Sequence, residues 1–161
     1  MDESFGEFVA RAYASLVRTG YLLVGDRGHA EDLVQSALLR AMRSWPQIES
    51  PDAYVRTTMV RLAGRWGRRR WHGELPSPVL PDTAGTAVDT DITLDVRAAL
   101  SRLPWQQRAV LVLRFYDDLT EAQIADALGC SVGTVKSRAY RALAALRTDG
   151  LLHLRTEAHD G

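Results

Sequence analysis

Apolar residues in this chain recur at intervals of three and four, the spacing of one α-helix face, and no segment alternates at the interval of two that marks a strand. The first stripe is Phe5, Phe8, Val9, Ala12 and Leu16, which predicts a helix reaching about Val24. Gly25-Asp26-Arg27-Gly28 breaks it, and Asp26 is placed to cap the helix that follows. Ala30, Leu33, Val34, Ala37, Leu38 and Ala41 form the second stripe, which ends near Trp45-Pro46 because proline has no amide hydrogen to continue the ladder. A third helix starts at Ser50-Pro51, an N-cap residue followed by proline at the first helical position, and buries Val55, Met59, Leu62 and Trp66. On its wheel Arg61, Arg65 and Arg68 fall together, away from that stripe.

From residue 73 to residue 93 the pattern dissolves into Pro76, Pro78, Pro81, Gly85, small residues and acids, the composition of a linker. Periodicity resumes at Leu94 with Val96 and Leu100, breaks at Pro104, and returns in helices predicted over residues 105–115, 120–128 and 131–146. A short tail follows and is expected to fray. The expectation is an all-α protein of two small helical domains, residues 1–73 and 94–150, joined by a flexible acidic linker over 74–93 and followed by a tail over 151–161. The C-terminal domain is read as a helix-turn-helix.

That last reading rests on spacing. Thr120 and Gln123 stand at the distance of a capping box, Ala125 is small where two helices must approach, and Gly129 permits a left-handed turn six residues before a buried Val135. Ser131 caps the second helix, and Val132, Val135, Ala139, Leu143 and Leu146 are expected to hold it against its domain. The other face then presents Thr134, Lys136, Ser137, Tyr140 and Arg141, donors suited to phosphates and to base edges in a major groove. A helical hairpin with a merely solvated basic face would not require caps, spacing and outward chemistry to agree.

Charge first argues against such a partner, since 20 basic residues balance 20 acidic ones. Its distribution reverses the argument. Residues 55–73 carry six arginines and no acid, residues 74–96 carry five acids and no base, and residues 97–147 carry eight bases against four acids. The arginine run interleaves Trp66, which lies on the apolar stripe, and Trp71, placed to stack on an unpaired base. A solvated basic face is the alternative reading of that run. On the second helix Leu39 sits off the buried stripe among Asp32, Gln35, Arg40 and Arg43, which fits a protein interface and equally an isolated surface leucine.

Other chemistry is sparse. One cysteine, Cys130, forms no intramolecular disulfide or multi-cysteine metal site and fits a reducing compartment, and His29, His72, His153 and His159 lack the i,i+4 pairing of a helical ligand set. No apolar run nears the roughly 20 residues of a membrane span. A cytoplasmic, non-enzymatic protein is expected, with no cofactor, no metal, no membrane contact and no small-molecule substrate, because no triad, catalytic carboxylate pair or glycine-rich phosphate loop is present.

Asp32-Leu-Val-Gln35 with Leu39-Arg-Ala-Met-Arg-Ser-Trp45, then Leu100-Ser-Arg-Leu-Pro104, Gln107-Arg108, Leu113-Arg-Phe-Tyr116, Leu119-Thr120 and Val132-Gly-Thr-Val-Lys-Ser-Arg138, occur in an order that resembles the extracytoplasmic-function group of the sigma-70 family of bacterial RNA polymerase sigma factors. The resemblance covers about residues 5–147. It implies that residues 1–73 bind the polymerase clamp and the −10 promoter element, and that residues 94–147 bind the −35 element and the polymerase flap. It would place Asp32, Gln35, Leu39 and Arg40 on the clamp. It would place the 45–52 loop, with Gln47 and Ser50 as candidates, and Arg61, Arg65, Arg68, Arg69 and Trp71 on the unwound −10 strand. Lys136, Ser137, Tyr140 and Arg141 would enter the −35 major groove of double-stranded promoter DNA, with Thr134 and Arg138 nearer phosphates. An anti-sigma factor is an open further partner. The chain departs from the family at Ser36-Ala37-Leu38, where an acid and a phenylalanine are common, and in the sequence of the 45–52 loop. A free-standing helix-turn-helix regulator and a helical adaptor are the rival readings.

Overall fold

The structure, a computed structural model, describes residues 3–71 and 90–148, with side chains over 3–65 and 96–148. The described residues are helical with short connections, and the chain divides into two compact units, Met1–Ala87 and Val88–Gly161.

The first unit holds α1 (Phe5–Val24), α2 (Arg27–Arg43), a 3-10 turn (Trp45–Gln47) and α3 (Pro51–Trp71). The three helices pack against one another around Phe8, Leu16, Leu23, Leu33, Val34, Val55 and Met59, all fully buried. Their ends are fixed by local chemistry. Ser4 and Glu7 form a capping box at the start of α1, with the Ser4 amide donating to Glu7 Oε1 at 3.0 Å and the Glu7 amide to Ser4 Oγ at 3.1 Å. Gly25 closes α1 in the left-handed region at φ 80°, donating to the Tyr21 carbonyl at 2.8 Å. Asp26 caps α2 as its sequence position predicts, accepting from the His29 amide at 2.8 Å. Close approach of α1 to α2 depends on Gly20, where a Cβ would stand 3.1 Å from the Ala30 Cβ and 3.3 Å from Ala30 backbone atoms.

The second unit holds α4 (Thr90–Ser101), α5 (Trp105–Leu111) running into a π-helical turn (Val112–Tyr116), α6 (Glu121–Leu128) and α7 (Val132–Thr148). Its core is Val110, Val112, Leu113, Ile124, Val135 and Ala142. Arg108 closes the end of α4 by donating to the Leu100 carbonyl at 3.0 Å and the Leu103 carbonyl at 3.1 Å, acceptors that a helix C-terminus leaves open.

The observed boundaries refine the expected ones. Helix α4 starts at Thr90, four residues before the expected Leu94, so the acidic stretch before it contributes its first turn. The helix expected over 105–115 leaves α-geometry at Val112, where the Asp117 amide reaches back five residues to the Val112 carbonyl at 3.0 Å. Helix α2 stops at Arg43, and Trp45-Pro46-Gln47 forms the separate 3-10 turn. The expected linker over residues 74–89, the tail over 151–161 and the core placement of the Trp66 side chain lie outside the described residues.

Candidate nucleic-acid interface

Helices α6 and α7 are joined by the turn that the spacing predicts. The Thr120 amide donates to Gln123 Oε1 at 2.9 Å and the Gln123 amide to Thr120 Oγ1 at 3.0 Å, completing the capping box. Gly129 takes φ 66°, and the Cys130 amide donates to the Ala125 carbonyl at 3.0 Å. Ser131 Oγ then accepts from the Thr134 amide at 3.1 Å, which starts α7.

The buried positions of α7 are Val135, Ala142 and Leu146. This corrects the expected anchor set. Val132 is 38% exposed because it precedes the turn at which α7 meets the rest of the domain, Ala139 and Leu143 are half-buried, and Ala142 fills the contact instead. Opposite these anchors Lys136, Ser137, Tyr140 and Arg141 are exposed along two turns, with Tyr140 at 77%. The other two expected contacts behave differently. Thr134 is half-buried with its hydroxyl 2.9 Å from Ser131 Oγ, and Arg138 is half-buried with its guanidinium 3.6 Å from Cys130 Sγ, turned back toward the turn. Glu121 stands between two cations, 4.0 Å from Arg114 Nε and 4.0 Å from Lys136 Nζ.

In the first unit the arginine run of α3 is not one outward face. Arg56 is 7% exposed and donates to Asp52 Oδ1 at 3.2 Å and to Ser15 Oγ at 3.1 Å, so it ties α3 to α1. Arg61 and Arg65 are exposed one turn apart, as the wheel predicts. The side chains of Arg68, Arg69 and Trp71 lie outside the described residues. Gln47 and Ser50 are exposed on the short connection before α3.

That connection is held by a cluster the sequence reading did not find. Trp45 donates from Nε1 to the Glu3 carbonyl at 3.2 Å, and its ring meets Phe5 edge-on and Phe8 tilted, both with centroids 5.3 Å away. The Glu3 carboxylate receives both a 2.8 Å and a 3.0 Å bond from Arg11, which also reaches Asp52 Oδ2 at 3.2 Å. The Arg11 hydrogen bond holds the Glu3 carboxyl below its ordinary value, and the same partners raise the Arg11 guanidinium. Glu7 is likewise lowered, chiefly by the Ser4 amide. The apolar stripe identified Phe5 and Phe8, but nothing in a one-dimensional pattern pairs Glu3 with Trp45 or Arg11 with Asp52.

On α2, Asp32, Gln35, Leu39 and Arg40 are all exposed. Leu39 is not isolated: Met42, one turn on, is 49% exposed beside its 53%. The i,i+3 spacing of these two is the signal that the sequence reading left unused. Phe115 and Tyr116 are also exposed, at 50% and 43%, because the π-helical turn adds a residue and rotates them off the buried stripe. Among the described residues no group of three or more histidine, cysteine or acidic side chains could hold a metal ion, and no helix is long and apolar enough to cross a membrane.

Comparison with known proteins matches residues 8–73 to the sigma-70 region 2 model and residues 93–146 to the sigma-70 region 4 model. The chain is 37% identical over 153 residues to the RNA polymerase sigma-E factor of Streptomyces coelicolor, covering 90% of this chain and 85% of that one. It is 34% identical over 148 residues to the ECF RNA polymerase sigma factor SigL of Mycobacterium tuberculosis, covering 83% and 81%. Among solved structures, the sigma factor RpoE of Bartonella quintana, crystallised in complex with the anti-sigma factor NepR, has the same fold with a TM-score of 0.71 at 24% identity over 92% of this chain and 96% of that one.

Proposed function

Because the chain belongs to the sigma-70 family of RNA polymerase sigma factors, in its extracytoplasmic-function group, we propose how its residues divide the family's work of directing core polymerase to −35 and −10 promoter elements. Residues 94–150 read the −35 element. Helix α7 enters the major groove with Lys136, Ser137, Tyr140 and Arg141, while the half-buried Thr134 and Arg138 support the turn and lie nearer the phosphates. Residues 1–73 bind the polymerase clamp through Asp32, Gln35, Leu39 and Arg40 on α2, with Met42 extending the apolar part of that face. The 45–52 loop, through Gln47 and Ser50, captures a base of the unwound −10 strand, and Arg61, Arg65, Arg68, Arg69 and Trp71 steady the strand.

The observation that carries this reading is the capped helix-turn-helix whose second helix buries Val135, Ala142 and Leu146 and turns a mixed row of donors outward. The chemistry of initiation belongs to the polymerase, and this chain performs no covalent step. It works in the cytoplasm, where core enzyme and promoter are found. An anti-sigma protein fits as a further partner, since the Bartonella quintana sigma factor of like fold was crystallised with one.

A mobility-shift experiment with the promoter duplex tests the assignment. Specific retention is expected only when core polymerase is added. Equally tight specific binding by the chain alone would identify a free-standing regulator instead.

A further inference from the structure

We propose that Glu3 and Arg11 are positioning residues for the −10 element: together they fasten both ends of the 45–52 loop to the start of α1, so that the loop meets the unwound strand already shaped. The inference rests on the reading of that loop as the base-capturing segment. At the near end of the loop the Glu3 carbonyl accepts from Trp45 Nε1 at 3.2 Å. At the far end Arg11 reaches Asp52 Oδ2 at 3.2 Å, in the first turn of α3. A two-pronged bond between the Arg11 guanidinium and the Glu3 carboxylate, at 2.8 and 3.0 Å, joins the two attachments.

The rest of the cluster fixes where Glu3 can be. The Ser4–Glu7 capping box sets the direction of the chain entering α1. Phe5 and Phe8 hold the Trp45 ring, and the Arg11 guanidinium lies over the Phe8 ring at 5.1 Å from its centroid. Asp52 is fixed in turn by Arg56, whose buried guanidinium also bonds Ser15. Gln47 and Ser50 between the two anchors remain exposed and available. Flipping a base costs unstacking free energy, and a loop that must also lose its own freedom at that moment adds to the cost. Anchoring the loop beforehand removes the second contribution.

The test uses holoenzyme reconstituted from core polymerase and full-length chain, on a promoter carrying 2-aminopurine at the base that flips. Glu3→Gln, Arg11→Gln, the double variant, Arg11→Lys and a loop variant with Gln47 and Ser50 both changed to glycine are compared for fluorescence rise and for core affinity. Each single glutamine variant is expected to lower the opening signal roughly two- to fivefold, the scale of one exposed ion pair. The double variant should be no worse than either single, Arg11→Lys should recover part of the loss, and core affinity should not change. Unchanged opening in both single variants while the loop variant loses it would overturn the strap and leave the loop reading standing. Losses that multiply in the double variant would also overturn it, since the two residues would then act separately. Full opening by the loop variant would remove the loop reading, and the strap with it.

Discussion

Arg56 and Arg61 stand five residues apart in one basic run and do opposite work. Arg56 is buried against Asp52 and Ser15, whereas Arg61 is exposed. Counting charge along the chain could not separate them, because burial of Arg56 depends on α1 packing against α3 and bringing Ser15, 41 residues away, to its guanidinium. Arg56→Ala should cost about 1–3 kcal/mol of stability in urea unfolding, since it empties a buried site, takes the partner of Ser15 Oγ and leaves Asp52 with Arg11 alone. Arg61→Ala should stay within about 0.5 kcal/mol in the same measurement, as exposed substitutions do. Arg141, by contrast, is exposed opposite the buried Val135, a placement that follows from helix spacing alone. Arg141→Ala in holoenzyme should lower discrimination at one or two positions of the −35 element by about 1–3 kcal/mol, measured by competition among duplex variants. Uniform weakening on every sequence would reassign that side chain to a phosphate. Glu3 adds a pH dependence: its carboxyl is lowered in the folded chain, so its tie to Arg11 is complete above the ordinary carboxylate range and is lost as pH falls through the depressed value. Tryptophan fluorescence should report a change on acidification that disappears in Glu3→Gln.

Elements were legible to the extent that their ends carry local chemistry. The caps at Asp26, Thr120 and Ser131 and the left-handed Gly129 all follow from residues within four positions of one another. The π-helical turn at Val112–Tyr116 was not legible, because apolar spacing continues through it and only the five-residue hydrogen bond of Asp117 reveals the added residue. The early start of α4 was hidden in the same way, since acids and threonines carry no apolar period. Packing between elements is sharpest at Gly20. Gly→Ala inside a free helix is expected to gain roughly 0.5–1 kcal/mol, yet a methyl here meets Ala30 at 3.1 Å and its backbone at 3.3 Å. Gly20→Ala should therefore destabilise by about 1–3 kcal/mol, and a rise in the urea midpoint would show that α1 and α2 separate without cost.

At the scale of the whole molecule, zero net charge conceals two basic stretches separated by an acidic one. The exposed arginines of α3 and the outward row of α7 belong to different compact units. The acidic stretch shares its sign with DNA and is repelled by it. The proposed division of work therefore predicts weak duplex affinity in the free chain and specific binding once core polymerase is present. The order of the motifs makes the two-domain helical organisation and the family legible in the sequence. The strap from Glu3 to Asp52 was not, because contacts more than forty residues apart leave no periodic trace. In vitro transcription on a library of random duplexes, with the 5′ ends of the transcripts sequenced, tests the central claim most directly. Core polymerase with this chain should start transcripts downstream of one shared pair of −35 and −10 sequences that core alone ignores. Transcripts no different from those of core alone would contradict the account.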